Sequence, residues 1–399
     1  MSLLDPAERA PLTQRATSAV GRTSDRSGRP RGFAVVPGEA AEGIAAEWAD
    51  LAEHAAADNV FFDPCFAIPA IDHLGCGAVA VATVASADGR LVAAAPFTRM
   101  RLGHIAPAVS LWSNPYGPVG MPLVRLAVVD SAVAALVEGL APGQKRESLI
   151  VPDLPLDGEV VAALVGFAVA GGRPVDVIDR RERAALVRPA DGVIDSSALL
   201  PPRRRKEYGR LMRRLSDLGT VSIETTADPD RIGGRFEEFL ALEAAGWKGR
   251  RGTALASSLA TAEFARTVVF NCAEAGGARI DSIRLDAHPL AVLVSFIAGR
   301  TAFTWKIAYD EAYARFSPGA LLMIEAPKGL FADRRVARID SCAAAHHPMI
   351  NHLWPGRTEV GTLVIGPPGG GALHRLGLAA AKAEIAARAQ ARRLRNRVS

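Results

Sequence analysis

The sequence predicts an α/β (α+β) protein with mixed, largely antiparallel sheets flanked by helices, in two tandem halves of similar plan. Three observations carry this reading. Segments with helical 3.6-residue spacing alternate with short strand-like runs along most of the chain. Each half contains a pair of strand-like runs joined by a short turn, as in an antiparallel hairpin. The order of elements before Pro201-Pro202 then recurs after it. At 399 residues the chain is long enough for two domains of ordinary size.

In the first half, Phe33–Val36 reads as a short strand. Ala40–Ala57 has helical spacing, with Ile44, Trp48 and Leu51 on one face. Asn59–Leu74 is a turn into a short helix. Val79–Ser86 and Arg90–Arg99 pair around Ala87-Asp88-Gly89, whose Asp-Gly step suits a tight turn. Ser110–Val119 holds Trp-Ser-Asn-Pro-Tyr-Gly-Pro, a rigid aromatic loop. Asp130–Leu140 and Gly158–Gly171 are helices; Ser148–Val151, Val175–Ile178 and Arg183–Val187 are strands.

In the second half, Lys206–Leu218 is a helix, Val221–Thr225 a strand and Pro229–Ala245 a helix, followed by the loop Gly246–Thr253. Thr261–Ala275 is a long helix. Ala278–Leu285 and Pro289–Ala298 form a hairpin, and Thr301–Ile307 is the next strand. Ser317-Pro318-Gly319 opens an apolar helix, Ala320–Ala326, that Pro327 is expected to end. Val336–Asp340 and Glu359–Ile365 are strands. Pro367-Pro368-Gly369-Gly370-Gly371 then breaks off a C-terminal Ala/Arg helix. The boundaries drawn from this order are a disordered polar tail over 1–31, an N-terminal lobe over 32–200, a C-terminal lobe over 201–371 and a basic helix over 372–399.

Composition narrows the class. Hydrophobic residues make up 49% and charged residues 22%, which suits a globular protein with large cores. No apolar run reaches the ~18–20 residues of a membrane span, so none is expected. The first 31 residues lack the apolar stretch of a secretory signal. Four widely spaced cysteines, Cys65, Cys76, Cys272 and Cys342, form no CxxC pair, which favours a reducing cytoplasm. The net charge of +5 comes from the ends: without residues 1–31 and 372–399, 34 basic residues face 38 acidic ones. That balance argues against a dedicated nucleic-acid surface.

The scarcest residues gather in one place. The chain has four tyrosines, six lysines and five tryptophans, yet Trp305, Lys306, Tyr309 and Tyr313 all fall between Thr304 and Leu322. The strand–loop–helix pattern there puts a Ser hydroxyl at the N-cap, Pro in the first turn and Gly where a backbone must come close to something. Free N–H groups and the positive end of the helix dipole suit a phosphate or pyrophosphate.

Three segments carry a family resemblance: Lys206–Leu218 with its following strand, Leu242-Glu-Ala-Ala-Gly-Trp-Lys-Gly-Arg-Arg-Gly-Thr-Ala-Leu255, and Trp305-Lys…Tyr309…Ser-Pro-Gly-Ala-Leu-Leu322. Together they resemble the BioF2-like or CelD-like acetyltransferase domain of the GNAT superfamily, related to the FemAB architecture. The resemblance covers about residues 200–365; Phe61-Phe62-Asp-Pro and Trp112-Ser-Asn-Pro-Tyr suit the family's first half. It implies two GNAT-like lobes and acyl transfer from acetyl-CoA or another acyl-CoA, used as co-substrate, to an amine or hydroxyl. The implied acceptor is a small molecule or a cell-envelope or polysaccharide glycan. The chain departs from the common phosphate-loop signature: Ala314-Arg315-Phe316-Ser317-Pro318-Gly319-Ala320 stands where a Gly-rich loop is usual.

Direct acyl transfer needs a pyrophosphate anchor, a proton acceptor for the incoming nucleophile, and donors for the oxyanion and leaving thiolate. Arg315, Ser317, Pro318, Gly319 and Ala320 are the candidate cofactor-binding residues, with Arg315 either on phosphate or a solvated charge. Lys306, Tyr309 and Asp340 are the candidate catalytic residues. Lys306 on a buried strand requires a partner, expected to be Asp340, in a pair that is either catalytic or structural. Tyr309 and Tyr313 suit either proton donation or aromatic packing. Trp247, Lys248, Tyr313 and His346 are the candidate substrate-binding residues; Trp247-Lys248 lies in a glycine-rich loop. The spacing of His346, His347 and His352 suits no metal, and none is expected. Cys342 lacks a helix N-terminus to activate it. The basic helix Arg203–Arg214 keeps a FemAB-type aminoacyl-tRNA donor open, and the irregular phosphate loop keeps open a catalytically silent scaffold in polysaccharide synthesis.

Overall fold

The computed structural model describes residues 30–75, 77–189 and 200–398. Cys76 and nearly all of the expected polar tail lie outside the described residues. Strand β1 (Pro30–Pro37) leads to helices α1 (Ala45–Glu53) and α2 (Pro64–Leu74), then strands β2 (Ala80–Ser86), β3 (Leu91–Leu102), β4 (Ala106–Leu111) and β5 (Leu123–Val124). Helix α3 (Val129–Leu140), strand β6 (Ser148–Pro155), helix α4 (Glu159–Ala170) and strand β7 (Val175–Val187) follow. The two strands expected between 175 and 187 are one continuous strand. Helix α5 (Pro202–Ser216), strand β8 (Val221–Thr226), helix α6 (Pro229–Ala245), the single turn α7 (Trp247–Arg250) and helix α8 (Leu259–Glu274) come next. The chain closes with β9 (Ala278–Leu285), β10 (His288–Ala298), β11 (Thr301–Tyr309), α9 (Pro318–Ala332), β12 (Arg338–Asp340), α10 (Ile350–Leu353), β13 (Arg357–Ile365) and α11 (Ala372–Val398).

By contacts the chain forms two units, but not by a single cut at 200. One comprises residues 30–62, 78–180 and 360–398 of those described; the other comprises Asp63–Gly77 and Arg181–Glu359. Each holds a mixed, mostly antiparallel sheet flanked by helices. In the first unit the order is β1-β2-β3-β4-β6-β13, and β4–β6 is its parallel step. In the second it is β8-β9-β10-β11-β12-β7, with β11–β12 parallel. The same plan recurs, as the repeated element order predicts.

In the first unit, Leu126–Lys145 is long and apolar enough to cross a membrane by length and composition, with mean hydropathy 1.5, which corrects the expectation that no run qualifies. Its helix α3 buries Ala132, Val133, Leu136, Val137 and Leu140 and packs against β1, β2 and β3. In the second unit, α9, β10, β11 and α10 surround one core of aliphatic and aromatic side chains that includes Leu293, Leu322, Ile339 and Trp354.

Helix α9 does not stop at Pro327; it runs on to Ala332. A proline at that position lacks the N–H that would bond the carbonyl four residues back, at Met323. The buried Trp354 Nε1 donates to the Met323 carbonyl instead, at 3.1 Å. The helix therefore passes the proline without leaving a buried carbonyl unsatisfied.

Candidate functional site

The segment where the scarce residues gather is built from β11, a turn and α9. Against β10, Lys306 pairs with Val294 while Thr304 pairs with Ser295, so Trp305 is the extra residue of a β-bulge. Regular alternation would send Trp305 and Lys306 to opposite faces; with the bulge, Lys306 Nζ lies 5.6 Å from the Trp305 ring centroid. The strand ends at Tyr309, and the carboxylate of the next residue, Asp310, accepts from Ala312 N at 2.9 Å and sits 2.7 Å from His288 Nε2. Ser317 then turns into α9 with φ 52° and ψ 51°, and its hydroxyl makes no capping bond, contrary to the expected N-cap role. Its carbonyl does the work, accepting from Ala320 N and Leu321 N at 3.0 Å each. Pro318 has no N–H. These bonds leave the Gly319 amide unused, so the helix end offers fewer anion donors than a Gly-rich loop would.

A second wall comes from the end of α6. Glu243 is 3% exposed, and its two oxygens accept from Lys248 Nζ and Leu255 N, each at 2.7 Å. Glu311 accepts from Trp247 N and Arg250 Nη2, also at 2.7 Å each. Two carboxylates thus hold the Trp247–Arg250 turn, which the sequence reading leaves as loop. Gly249 is required there: a Cβ would lie 1.8 Å from the Ala244 carbonyl oxygen. Trp247 remains 44% exposed, with the Arg251 guanidinium 5.2 Å from its ring centroid.

The cavity between these walls has a volume of about 780 Å³, and every residue that lines it belongs to the second unit. It brings together Trp247, Lys248, Lys306, Tyr309, Ser317, Pro318, Gly319 and Ala320, eight of the twelve residues singled out from the sequence. Burial pushes the Lys306 amine down from 10.5 to about 8; the Lys248 ammonium adds to that and Glu243 opposes it. Burial, then Lys248, also lowers the His347 imidazole. His347 Nδ1 accepts from Ile350 N at 3.3 Å, so its neutral ring carries the proton on Nε2. Burial, then the Asp340 carboxylate, raises the Cys342 thiol, which stays protonated and unreactive.

Four candidates do not line the cavity. Asp340 is buried and does not partner Lys306; its carboxylate accepts from Cys342 N at 2.7 Å and lies 3.4 Å from Arg183 Nη1. Register explains the error, because β12 ends at Asp340, paired with Phe303. Lys306 lies three residues farther along β11, about 10 Å away. Tyr313 packs against Phe316 and His288, with ring centroids at 6.4 and 6.0 Å. Arg315 is exposed, its guanidinium 4.8 Å from the Phe316 ring centroid. His346 is exposed, and its neighbour His347 takes the cavity position.

Other lining residues escape the sequence reading, although a signal existed. Arg204 and Tyr208 continue, at helical spacing, the face of α5 that buries Leu211 and Leu215. Glu243 stands at a core position of α6, in line with Ile232, Phe236, Phe239 and Leu240. A carboxylate at such a position needs a buried partner or a function.

Residues 202–347 match the family model of an acetyltransferase (GNAT) domain. This segment is similar to GNAT acetyltransferase domains. It includes all of the cavity lining up to His347. No curated protein matches the chain. Among solved structures the chain is similar to FemX, with TM-score 0.52 and 11% identity over 80% of this chain and 95% of that one. It is also similar to the C-terminal domain of a putative lysylphosphatidylglycerol synthetase from Agrobacterium fabrum, with TM-score 0.53 and 11% identity over 86% and 96% of the two chains. A conserved protein of unknown function from Bacteroides thetaiotaomicron gives TM-score 0.50 and 12% identity over 84% and 99%. At these identities the likeness is one of fold alone.

Proposed function

We propose that the protein transfers an acyl group from acyl-CoA to an amine or hydroxyl acceptor in the cavity between β11, α9 and the Trp247 turn. The observation that supports this reading is that Lys306, Tyr309 and Gly319 line one cavity within the segment that matches the GNAT family model. Gly319 allows a close approach by the donor's phosphates, and the α9 dipole favours their charge. The Lys306 amine, held near pH 8, is matched to taking the acceptor's proton. The acceptor's N or O then bonds to the thioester carbonyl carbon, the C–S bond breaks, and the Tyr309 phenol protonates the departing thiolate. Trp247 and Lys248 hold the acceptor, a small molecule or a glycan. The BioF2-like or CelD-like character of the motifs favours envelope or polysaccharide chemistry, and the free Cys65, Cys272 and Cys342 suit a reducing cytoplasm.

Calorimetry with acetyl-CoA, longer acyl-CoAs and desulfo-CoA tests the reading: saturable binding is expected, and no binding of any of them at millimolar concentration removes it. A second reading, an aminoacyl-tRNA donor of FemAB type, draws on the exposed Arg203, Arg205, Lys206, Arg210, Arg213 and Arg214 of α5. Filter binding to charged tRNA separates the two, because a tRNA site saturates with a steep salt slope and an acyl-CoA site does not.

A further inference from the structure

Helix α11 belongs to the first unit, and only one side of it is spent on building that unit. Leu378, Ala381 and Ile385 close on Leu102, Ala106, Ala108 and Ile150 of the sheet. The approach is tight at the β3–β4 turn, where a Cβ on Gly103 would lie 2.2 Å from the Gly377 carbonyl oxygen. From Ala386 to Ala391 every residue is exposed, and the helix runs unbroken to Val398. A second side of α11 is apolar and uncovered. Leu373, Leu376, Ala380, Ala383 and Ala387 follow one another at three- and four-residue steps, all exposed except half-buried Ala380. Leu373 and Leu376 are 51% and 59% exposed. Two more apolar side chains stand open beside the helix, Met100 at 47% and Ile105 at 38%. Met100 pairs with Ala108 and so shares the sheet face that α11 covers. Ile105 lies between Gly103 and Ala106, both of which abut Gly377.

The same helix is strongly basic. Residues 372–399 carry seven Lys and Arg against one acid, a net of +6. That acid, Glu384, is shared by Arg388 and His104, and Lys382 pairs with Asp176 at 2.8 Å. Arg375 is exposed, and Arg101 donates to the Ile105 carbonyl at 2.8 Å rather than to a carboxylate. Arg388, Arg392, Arg393, Arg395 and Arg397 all come after Ile385, the last position of α11 packed on this core. We propose that α11 docks the protein on an anionic lipid surface, with Leu373, Leu376, Met100 and Ile105 entering the interface and the arginines meeting lipid phosphates and carboxylates. Apolar area and a basic cluster together are what reversible attachment of a helix to such a surface requires. A second copy of the chain is a poor occupant, because pairing two such stripes would bring together two helices of net +6. A nucleic acid would engage the arginines and leave the open leucines without a role. The inference is independent of the acyl-transfer reading, since α11 contributes no residue to the cavity of the second unit.

Co-sedimentation of the full chain with vesicles tests this. Binding to phosphatidylcholine containing about 30 mol % phosphatidylserine is expected at about 0.1 M salt, falling steeply by about 0.5 M. Binding to phosphatidylcholine alone should be about tenfold weaker or less. Two full-length variants separate the contributions, and both spare the buried side of α11, which an unchanged thermal transition checks. Leu373→Ser with Leu376→Ser should weaken binding to the anionic vesicles about fivefold or more. Replacing Arg388, Arg392, Arg393, Arg395 and Arg397 together by Gln should lower it to the level seen with phosphatidylcholine alone. Equal binding to both kinds of vesicle, no binding to either, or undiminished binding by the leucine variant overturns the proposal. So does saturable binding to deacylated tRNA, without vesicle binding, that the arginine variant loses and the leucine variant keeps. A dimer in sedimentation equilibrium that the leucine variant dissolves, again without vesicle binding, assigns the stripe to a second copy and overturns it too.

Discussion

Lys306 shows what a single buried charge does to a fold. Its folded-state affinity for the proton is lower than that of the unfolded chain, with the amine near 8 rather than 10.5. Below about pH 8 the folded protein carries the net cost of holding that ammonium largely out of water. Between about 8 and 10.5 the unfolded chain binds more protons than the folded one, so stability rises with pH across that window. Lys306→Met is therefore expected to stabilise the protein at pH 7 by about 1–3 kcal/mol while abolishing transfer. Its advantage should shrink as pH climbs from 8 towards 10.5. Urea titrations of both proteins at pH 7 and pH 10 check this; an equal gain at both values would show that the charge is not the cause. Gly249 makes the opposite case, where the smallest side chain is the only one possible. Gly249→Ala has to displace the Ala244 carbonyl or the Trp247 turn, and should cost at least 2 kcal/mol and weaken acyl-acceptor turnover. By contrast, a Cβ at Gly319 meets Ile307 and Tyr309 at an ordinary 3.7 Å, so Gly319→Ala should melt at or above the wild-type temperature. Any loss of acyl-CoA affinity in that variant then reports close backbone approach rather than misfolding.

At the scale of an element, α9 depends on a residue far from it in sequence. Pro327 withdraws one helical donor, and Trp354 Nε1 supplies another to the same Met323 carbonyl. Trp354→Phe leaves that carbonyl buried without its donor and should cost about 1–3 kcal/mol, with some further loss from the smaller ring. Pro327→Ala restores the backbone N–H, so the Trp354→Phe penalty should fall in that background. A double-mutant cycle read by chemical denaturation measures the coupling, and strictly additive costs would refute it. The β11 bulge works on the same scale: one extra residue, Trp305, breaks the regular alternation just before Lys306.

At the scale of the whole molecule, the second unit is not a continuous stretch of chain. Residues Asp63–Gly77 belong to it, and Phe66 of α2 meets Phe264, Phe296 and Trp305 edge-on with ring centroids 5.6–6.0 Å away. Strand β7 supplies Ala185–Val187 as the edge that pairs with β12. A fragment cut at the sequence boundary, residues 201–371, lacks both and leaves that aromatic cluster open. It is expected to show no cooperative thermal transition, whereas adding 63–77 and 181–200 on short linkers should restore one. Within the full chain Phe66→Ala should cost about 3–5 kcal/mol, measurable by chemical denaturation. An independently stable 201–371 fragment would show that α2 is only an accessory to this unit.

The legible features were local: the periodicities that place most helices and strands, the Asp-Gly turn, and the gathering of Trp305, Lys306, Tyr309 and Gly319 in one strand–turn–helix. Those features depend on neighbours a few residues apart, where backbone and side-chain preferences act directly. The long-range pairings came from the packed fold. The three-residue pairing of β12 with β11 set Asp340 beside Phe303 and gave Arg183, rather than Lys306, as its charged neighbour. Glu243 and Arg204 declared a helix face in the sequence, but nothing in their spacing says that those faces meet β11. Partner choice in a sheet or across a cavity depends on register and chain reversal, and a one-residue bulge redirects the side chains after it.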